Sequence, residues 1–218
     1  MRNQSATHDT TRRQFIKHVS LLAVSFPMFP FVGLESCSKP NAILAQNNGA
    51  PCGACEAPSK LSWQTTITSA SEPGEPLVMS GTIYQPDGVT PAEGIVLYVY
   101  HTDATGYYNE RDDAFHPRLR GWMRTGRDGK YEFRTIKPAP YPHRTTPAHI
   151  HAHVYGSGYP EYWIDDYWFE GDRFITSSER AKLSGRGGFN SIISLQRDAH
   201  GVLKGTRNIK LEHVQARS

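Results

Sequence analysis

From residue 63 onward, apolar and polar positions alternate over short stretches, and each stretch is cut by turn residues. Residues 63–70 (WQTTITSA) have strand composition and are broken by Glu72-Pro73-Gly74-Glu75-Pro76. Residues 77–85 (LVMSGTIYQ) run into Pro86-Asp87-Gly88, and 94–101 (GIVLYVYH) follow. Residues 121–125 and 130–136 flank Arg127-Asp128-Gly129, a hairpin signal. A further strand begins at His149, and beyond a long loop residues 191–196 and 202–211 flank a turn at 198–201. Seven or eight short strands without intervening long helices predict an all-β chain, an antiparallel β-sandwich with long loops. One short helix is predicted near 177–183, where Thr176 and Glu179 have the spacing of a capping box. The aromatic and acidic segment 156–174 reads as core packing with a solvated rim.

The strand at His149 is unusual in its polar positions. Residues 141–153 (YPHRTTPAHIHAH) hold four of the ten histidines. Pro147 disfavours helix for the residue before it, and the alternation from His149 to Val154 has a strand's period. His149, His151 and His153 therefore project to one face, with Ile150 and Val154 on the other. Neighbouring imidazoles on a stiff strand are preorganised nitrogen donors that suit a transition metal, although a His-x-His pair also occurs as plain surface. Further donors are offered by Tyr141, fixed between Pro140 and Pro142, and by Tyr108, in the loop that leaves the strand ending at His101.

Composition limits the other readings. The chain has 218 residues and a net charge of +3, with basic and acidic residues interleaved, so it carries no nucleic-acid footprint. Residues 1–45 read as an export address. Thr11-Arg12-Arg13-Gln14-Phe15-Ile16-Lys17 resembles a twin-arginine signal, and the apolar run that follows is short and interrupted by Pro27 and Pro30. Such a route carries folded proteins, which suggests a cofactor fitted before export. Cleavage before Cys37 would make a lipid-anchored protein, and cleavage after Ala45 a free periplasmic one. Of three cysteines, Cys37 is then the lipidation candidate, and Cys52 and Cys55 the disulfide candidates. Residues 46–62 read as a linker and 63–218 as the folded domain.

The order of motifs resembles the intradiol ring-cleavage dioxygenases, most closely the protocatechuate type. The resemblance rests on Gly106-x-Tyr108, the run 128–142 (DGKYEFRTIKPAPYP), Pro147-Ala148-His149-Ile150-His151, and Phe169-Glu170-Gly171-Asp172, and covers roughly residues 78–175. It implies a mononuclear non-haem Fe(III) held by Tyr108, Tyr141, His149 and His151, with O2 and a catechol-type compound as substrates and a muconate-type diacid as product. Tyr141 is implied as the ligand that gives way to substrate and takes its proton. Two phenolates favour Fe(III), and tyrosine, with a free pKa of about 10, ionises at neutral pH only beside such a cation.

The chain departs from the family beside the substrate. Thr146 stands where the family has arginine, His143 where tryptophan is common, and Asp166 where the protocatechuate type has glutamine. Arg144 and Asp166 are expected to replace the lost pair in the substrate pocket. His153 is expected in an outer or surface role, and His101 and Tyr107 in packing. Two readings of other classes stand beside the enzyme: an exported β-sandwich binding module without catalysis, and a zinc or copper hydrolase built on the histidine strand. Membrane attachment through an N-terminal lipid and a homo-oligomer are the further partner arrangements considered.

Overall fold

The computed structural model describes residues 53–213. Eleven strands and one helical turn follow in the order β1 (Gln64–Thr66), β2 (Pro76–Tyr84), β3 (Val96–His101), β4 (Leu119–Arg124), β5 (Lys130–Ile136), β6 (His149–Gly156), β7 (Tyr159–Phe169), α1 (Ser177–Arg180), β8 (Ile192–Ile193), β9 (Gln196–Arg197), β10 (Leu203–Thr206) and β11 (Ile209–Lys210). One sheet runs β1-β5-β2-β10-β9, with β11 also on β2, and the other runs β4-β3-β6-β7-β8. No helix among the described residues is long and apolar enough to cross a membrane. The leader, Cys37 and Cys52 lie outside the described residues.

Four expectations are corrected. The sheets are mixed, not antiparallel, and the strands outnumber the seven or eight predicted. β1 runs parallel to β5, β10 and β11 parallel to β2, and β8 parallel to β7. Parallel neighbours need a long connection, so they leave no turn signal in the sequence between them. The region expected as one strand at 202–211 is β10 and β11, both on β2 in one register. The break falls where Gly81 allows the Arg207 carbonyl to pass, since a Cβ there would lie 1.8 Å from that oxygen. The Asn208 side chain then accepts the Thr82 N–H at 3.1 Å in place of a ladder bond. Segment 159–169, expected as packing and rim, is the longest strand, β7.

The helical turn forms where predicted. The Thr176 side chain accepts the Glu179 N–H at 3.2 Å, which satisfies a donor the short helix leaves open. Apolar residues from both sheets meet in one cluster that includes Leu77, Met79 and Phe133 from one and Leu97, Val99, Ile150, Ala152 and Val154 from the other. Each of these side chains except that of Ala152 contributes about 1.5–3 kcal/mol on burial.

Strand β3 is buried at all six positions because both its faces are covered. Leu97 and Val99 face the shared cluster, while Tyr98 and Tyr100 form a separate aromatic cluster with Tyr108. His101 ends β3 with no exposure. Its Nδ1–H donates to the Thr102 carbonyl, and its Nε2 accepts from the Thr135 hydroxyl on β5, each at 2.7 Å. This polar link ties one sheet to the other. Burial lowers the His101 pKa to about 4, so the ring is neutral.

Candidate metal centre

Four side chains meet on the face of the β4-β3-β6-β7-β8 sheet that looks away from the shared cluster. Alternation along β6 places His149 and His151 on this face, opposite Ile150 and Ala152 in the core. Tyr108 arrives on the loop after β3, Tyr141 on the loop after β5. Gly106 lets these loops touch: its φ is +92°, and a Cβ would lie 2.4 Å from the Pro140 carbonyl oxygen and 2.9 Å from Pro142 Cδ. The Asp103 carboxylate closes the first loop by accepting the Thr105 N–H at 2.8 Å and the Thr105 hydroxyl at 2.7 Å. The Ala139 N–H donates to the Asp103 carbonyl at 3.1 Å, and the Thr102 hydroxyl to the Ala139 carbonyl at 2.8 Å. The two loops are thereby stitched together.

The donor atoms converge. His151 Nε2 lies 2.8 Å from the Tyr108 oxygen and 3.2 Å from that of Tyr141. His149 Nε2 lies 3.1 Å from the Tyr141 oxygen and 3.1 Å from His151 Nε2, and the two phenol oxygens are in direct contact. Metal bonds of about 2.0–2.2 Å at near right angles separate neighbouring donors by about 3 Å, so these spacings fit one shared ion.

The hydrogen bonds on the far side of each ring fix which nitrogen is free. His149 Nδ1 lies 2.7 Å from the Pro147 carbonyl, and His151 Nδ1 2.9 Å from Asp166 Oδ1. A carbonyl and a carboxylate can only accept, so both Nδ1 atoms carry the proton and both Nε2 atoms present lone pairs. Two lone pairs 3.1 Å apart repel unless a cation lies between them. Asp166, although close to both histidines, meets His151 on the Nδ1 side and is thus an outer partner.

Electrostatics point the same way. Burial, and then the Tyr141 contact, push the Tyr108 phenol far above its ordinary pKa; burial raises Tyr141 as well. Neither ionises here without a cation to stabilise the anion. Burial, followed by the neighbouring His151, lowers the pKa of His149 and keeps it the neutral donor a metal requires. Two phenol oxygens and two imidazoles make a hard-leaning set that accommodates a ferric ion.

Other predicted residues are distributed around this group. Arg144 and His143, both exposed, line an open depression of about 450 Å³ with Tyr107, Tyr108, Asp112 and Tyr141. Arg144 lies 5.7 Å from the Tyr141 ring. His143 and Asp112 hold φ of +59° and +52°, a conformation uncommon outside glycine. Asp166 lines a different depression, with His151, Trp163, Trp168 and Lys182. The expected Arg144–Asp166 pair is therefore not formed; the carboxylate is engaged by His151. Thr146 is half-buried and lines neither depression.

His153 is on the ligand face but is 1% exposed, which excludes a surface role. Its Nδ1 meets Glu161 Oε1 at 2.7 Å and its ring packs against that of Trp163, tilted by 42° with centroids 3.9 Å apart. Cys55 is disulfide-bonded.

Several residues of the site carried no individual signal. The Tyr100 ring lies 4.7 Å from that of His151 and 5.9 Å from that of Tyr108, packing against both from one side. Asp172 accepts the Ala148 N–H at 2.8 Å and the Phe174 N–H at 2.9 Å, which anchors the start of β6. Gly53 and Ala54 donate to the Glu161 carboxylate at 2.9 and 3.1 Å, and Trp122 Nε1–H to the Gly53 carbonyl at 2.7 Å. The middle of the expected 46–62 linker is thus fastened to β4 and β7.

Comparison with known proteins places this geometry. The model of a protein family described as Dioxygenase matches residues 51–188. The chain belongs to the intradiol ring-cleaving dioxygenase family. Among its relatives in this dioxygenase family, catechol 1,2-dioxygenase 1 of Acinetobacter lwoffii is 36% identical over 102 residues, 38% of this chain and 32% of the relative. Chlorocatechol 1,2-dioxygenase of Rhodococcus opacus is 32% identical over 127 residues, 50% of this chain and 49% of the relative. The chain thus spans half or less of these relatives' length. The solved dioxygenase domain of a dioxygenase–carbohydrate-binding fusion from Streptomyces sp. SirexAA-E aligns with a TM-score of 0.55 and 26% identity, covering 77% of this chain and 96% of that one. Catechol 1,2-dioxygenase from Acinetobacter sp. ADP1 aligns at 0.56 and 20% identity over 75% of this chain and 65% of that one, a likeness of fold.

Proposed function

We propose that this dioxygenase-family chain opens a catechol-type ring between its two hydroxyl-bearing carbons, incorporating both atoms of O2 to give a muconate-type diacid. The observation that carries the proposal is the meeting of two phenol oxygens with two Nε2 lone pairs that are 3.1 Å apart. Tyr108, Tyr141, His149 and His151 would hold a ferric ion, which when bound supplies Lewis-acid chemistry to the diol. Tyr108 is 5% exposed and enclosed by the aromatic cluster, so it suits a permanent anionic donor. Tyr141 is only half-buried and borders the open depression beneath Arg144, so it suits the oxygen that accepts a substrate proton. Tyr100 and Trp163 wall off His151, and the depression beside Tyr141 gives the ring its approach.

The test is oxygen uptake by iron-loaded protein with a panel of catechols and hydroxyquinols, with products analysed for intradiol opening. A broad visible phenolate-to-Fe(III) band and a diacid product are expected. A colourless zinc protein, or a copper protein, without oxygen uptake would refute the proposal and favour the hydrolase or binding-module reading.

The two sheets with their shared apolar cluster support a β-sandwich. The twin-arginine pattern and Cys37 support export with lipid attachment at the periplasmic face, and the Cys55 disulfide agrees with an oxidising compartment. Fractionation of cells expressing the full chain and its Cys37→Ser variant tests this: the variant should move from membrane to soluble periplasm.

A further inference from the structure

The pairing of β6 with β7 slips at one place. Ile150 is opposite Tyr167 and Ala152 opposite Ile164, so two residues, Asp165 and Asp166, face the single residue His151. Such a bulge bends the strand and re-aims its side chains. Asp165 turns toward the following loop, where its carboxylate accepts the Ser184 N–H at 3.1 Å, the Ser184 hydroxyl at 2.6 Å and the Gly185 N–H at 2.8 Å. Asp166 turns the other way and meets His151 Nδ1 at 2.9 Å, with side chains only 26% and 15% exposed.

From this geometry we propose that Asp166 is a positioning residue that sets the electron-donating strength of His151 toward the ferric ion. The inference rests on the reading of the four donors given above. A carboxylate on Nδ1–H fixes the tautomer that leaves Nε2 free, and draws the shared proton toward itself. The ring becomes a stronger donor at Nε2, which stabilises Fe(III) over Fe(II). His149 has only the neutral Pro147 carbonyl in the equivalent place. The two imidazoles are therefore unequal, and the bulge is the device that makes them so.

The experiment compares wild type with Asp166→Asn, which keeps an oxygen acceptor but removes the charge, and with Asp166→Ala, which removes both. Far-UV circular dichroism verifies folding. The readouts are ferric affinity by chelator competition, the wavelength of the phenolate-to-iron band, and the Fe(III)/Fe(II) potential. Asp166→Asn is expected to shift the band to longer wavelength and raise the potential, and Asp166→Ala to weaken iron binding by about 10- to 100-fold. Asp166→Glu should restore band and potential toward wild type. If wild type shows the band and Asp166→Asn leaves both its wavelength and the potential unchanged, this inference alone fails. If wild type takes up no ferric ion, the reading of the four donors fails, and this inference with it.

Discussion

Acidification should weaken the fold through one histidine that lies outside the metal centre. His101 is fully buried and neutral, held between the Thr102 carbonyl and the Thr135 hydroxyl, with its pKa lowered to about 4. In the unfolded chain it returns to about 6.5. Between these values the unfolded state binds more protons than the folded one, so stability rises with pH across this window and is lost as pH falls from about 6.5 to 4. A difference of about 2.5 units at 1.36 kcal/mol each makes the loss about 3 kcal/mol. The assay is urea unfolding at a series of pH values for iron-free wild type and His101→Gln. The variant is expected to be less stable at neutral pH but flatter in its pH response, so the two curves converge on acidification. Other groups, including His149, titrate alike in both proteins and cancel in the comparison. Parallel curves from pH 7 to 4 would refute the reasoning.

The remaining predictions concern the site and its support. Gly106→Ala forces a Cβ against the Pro140 carbonyl in a backbone conformation with φ of +92°, so it should separate the tyrosine loops and abolish the visible iron band, read by titration with ferric ion. Tyr141→Phe should retain iron with an altered band and lower turnover by about 10²–10⁴-fold, the usual scale of a lost proton acceptor, measured by oxygen uptake. Glu161→Ala strands the Gly53 and Ala54 N–H groups and His153 Nδ1 and should cost about 1–3 kcal/mol in urea unfolding. Leu97→Ala, in the apolar cluster, should cost about 2–5 kcal/mol while leaving the iron band in place.

The four candidate donors were legible because each lies in a local motif: period-two alternation displays His149 and His151 together, and proline and glycine mark the loops of Tyr141 and Tyr108. What hid β7 is its bulge. Two consecutive aspartates break the alternation that a strand displays, so YPEYWIDDYWF reads as a rim. The same slip concealed the engagement of Asp166, since spacing along the chain says nothing about which strand lies alongside. β10 and β11 paired with β2 from more than a hundred residues away, beyond any turn signal. Arg207 gave no sign that it would be 1% exposed, with its guanidinium 4.3 Å from the Tyr167 ring and no hydrogen-bond partner among the described residues.

The side of the sheet that bears the donors is turned away from the apolar layer, which is complete without any ion. None of the four donors belongs to that layer, so folding and loading are expected to be separable events, unlike those of a small zinc domain that collapses only around its metal. A preparation can be fully native yet empty, or native and carrying a competitor such as copper, which binds nitrogen and oxygen donors more tightly than most divalent rivals. On the proposed reading, turnover is therefore to be counted per atom of bound iron rather than per chain.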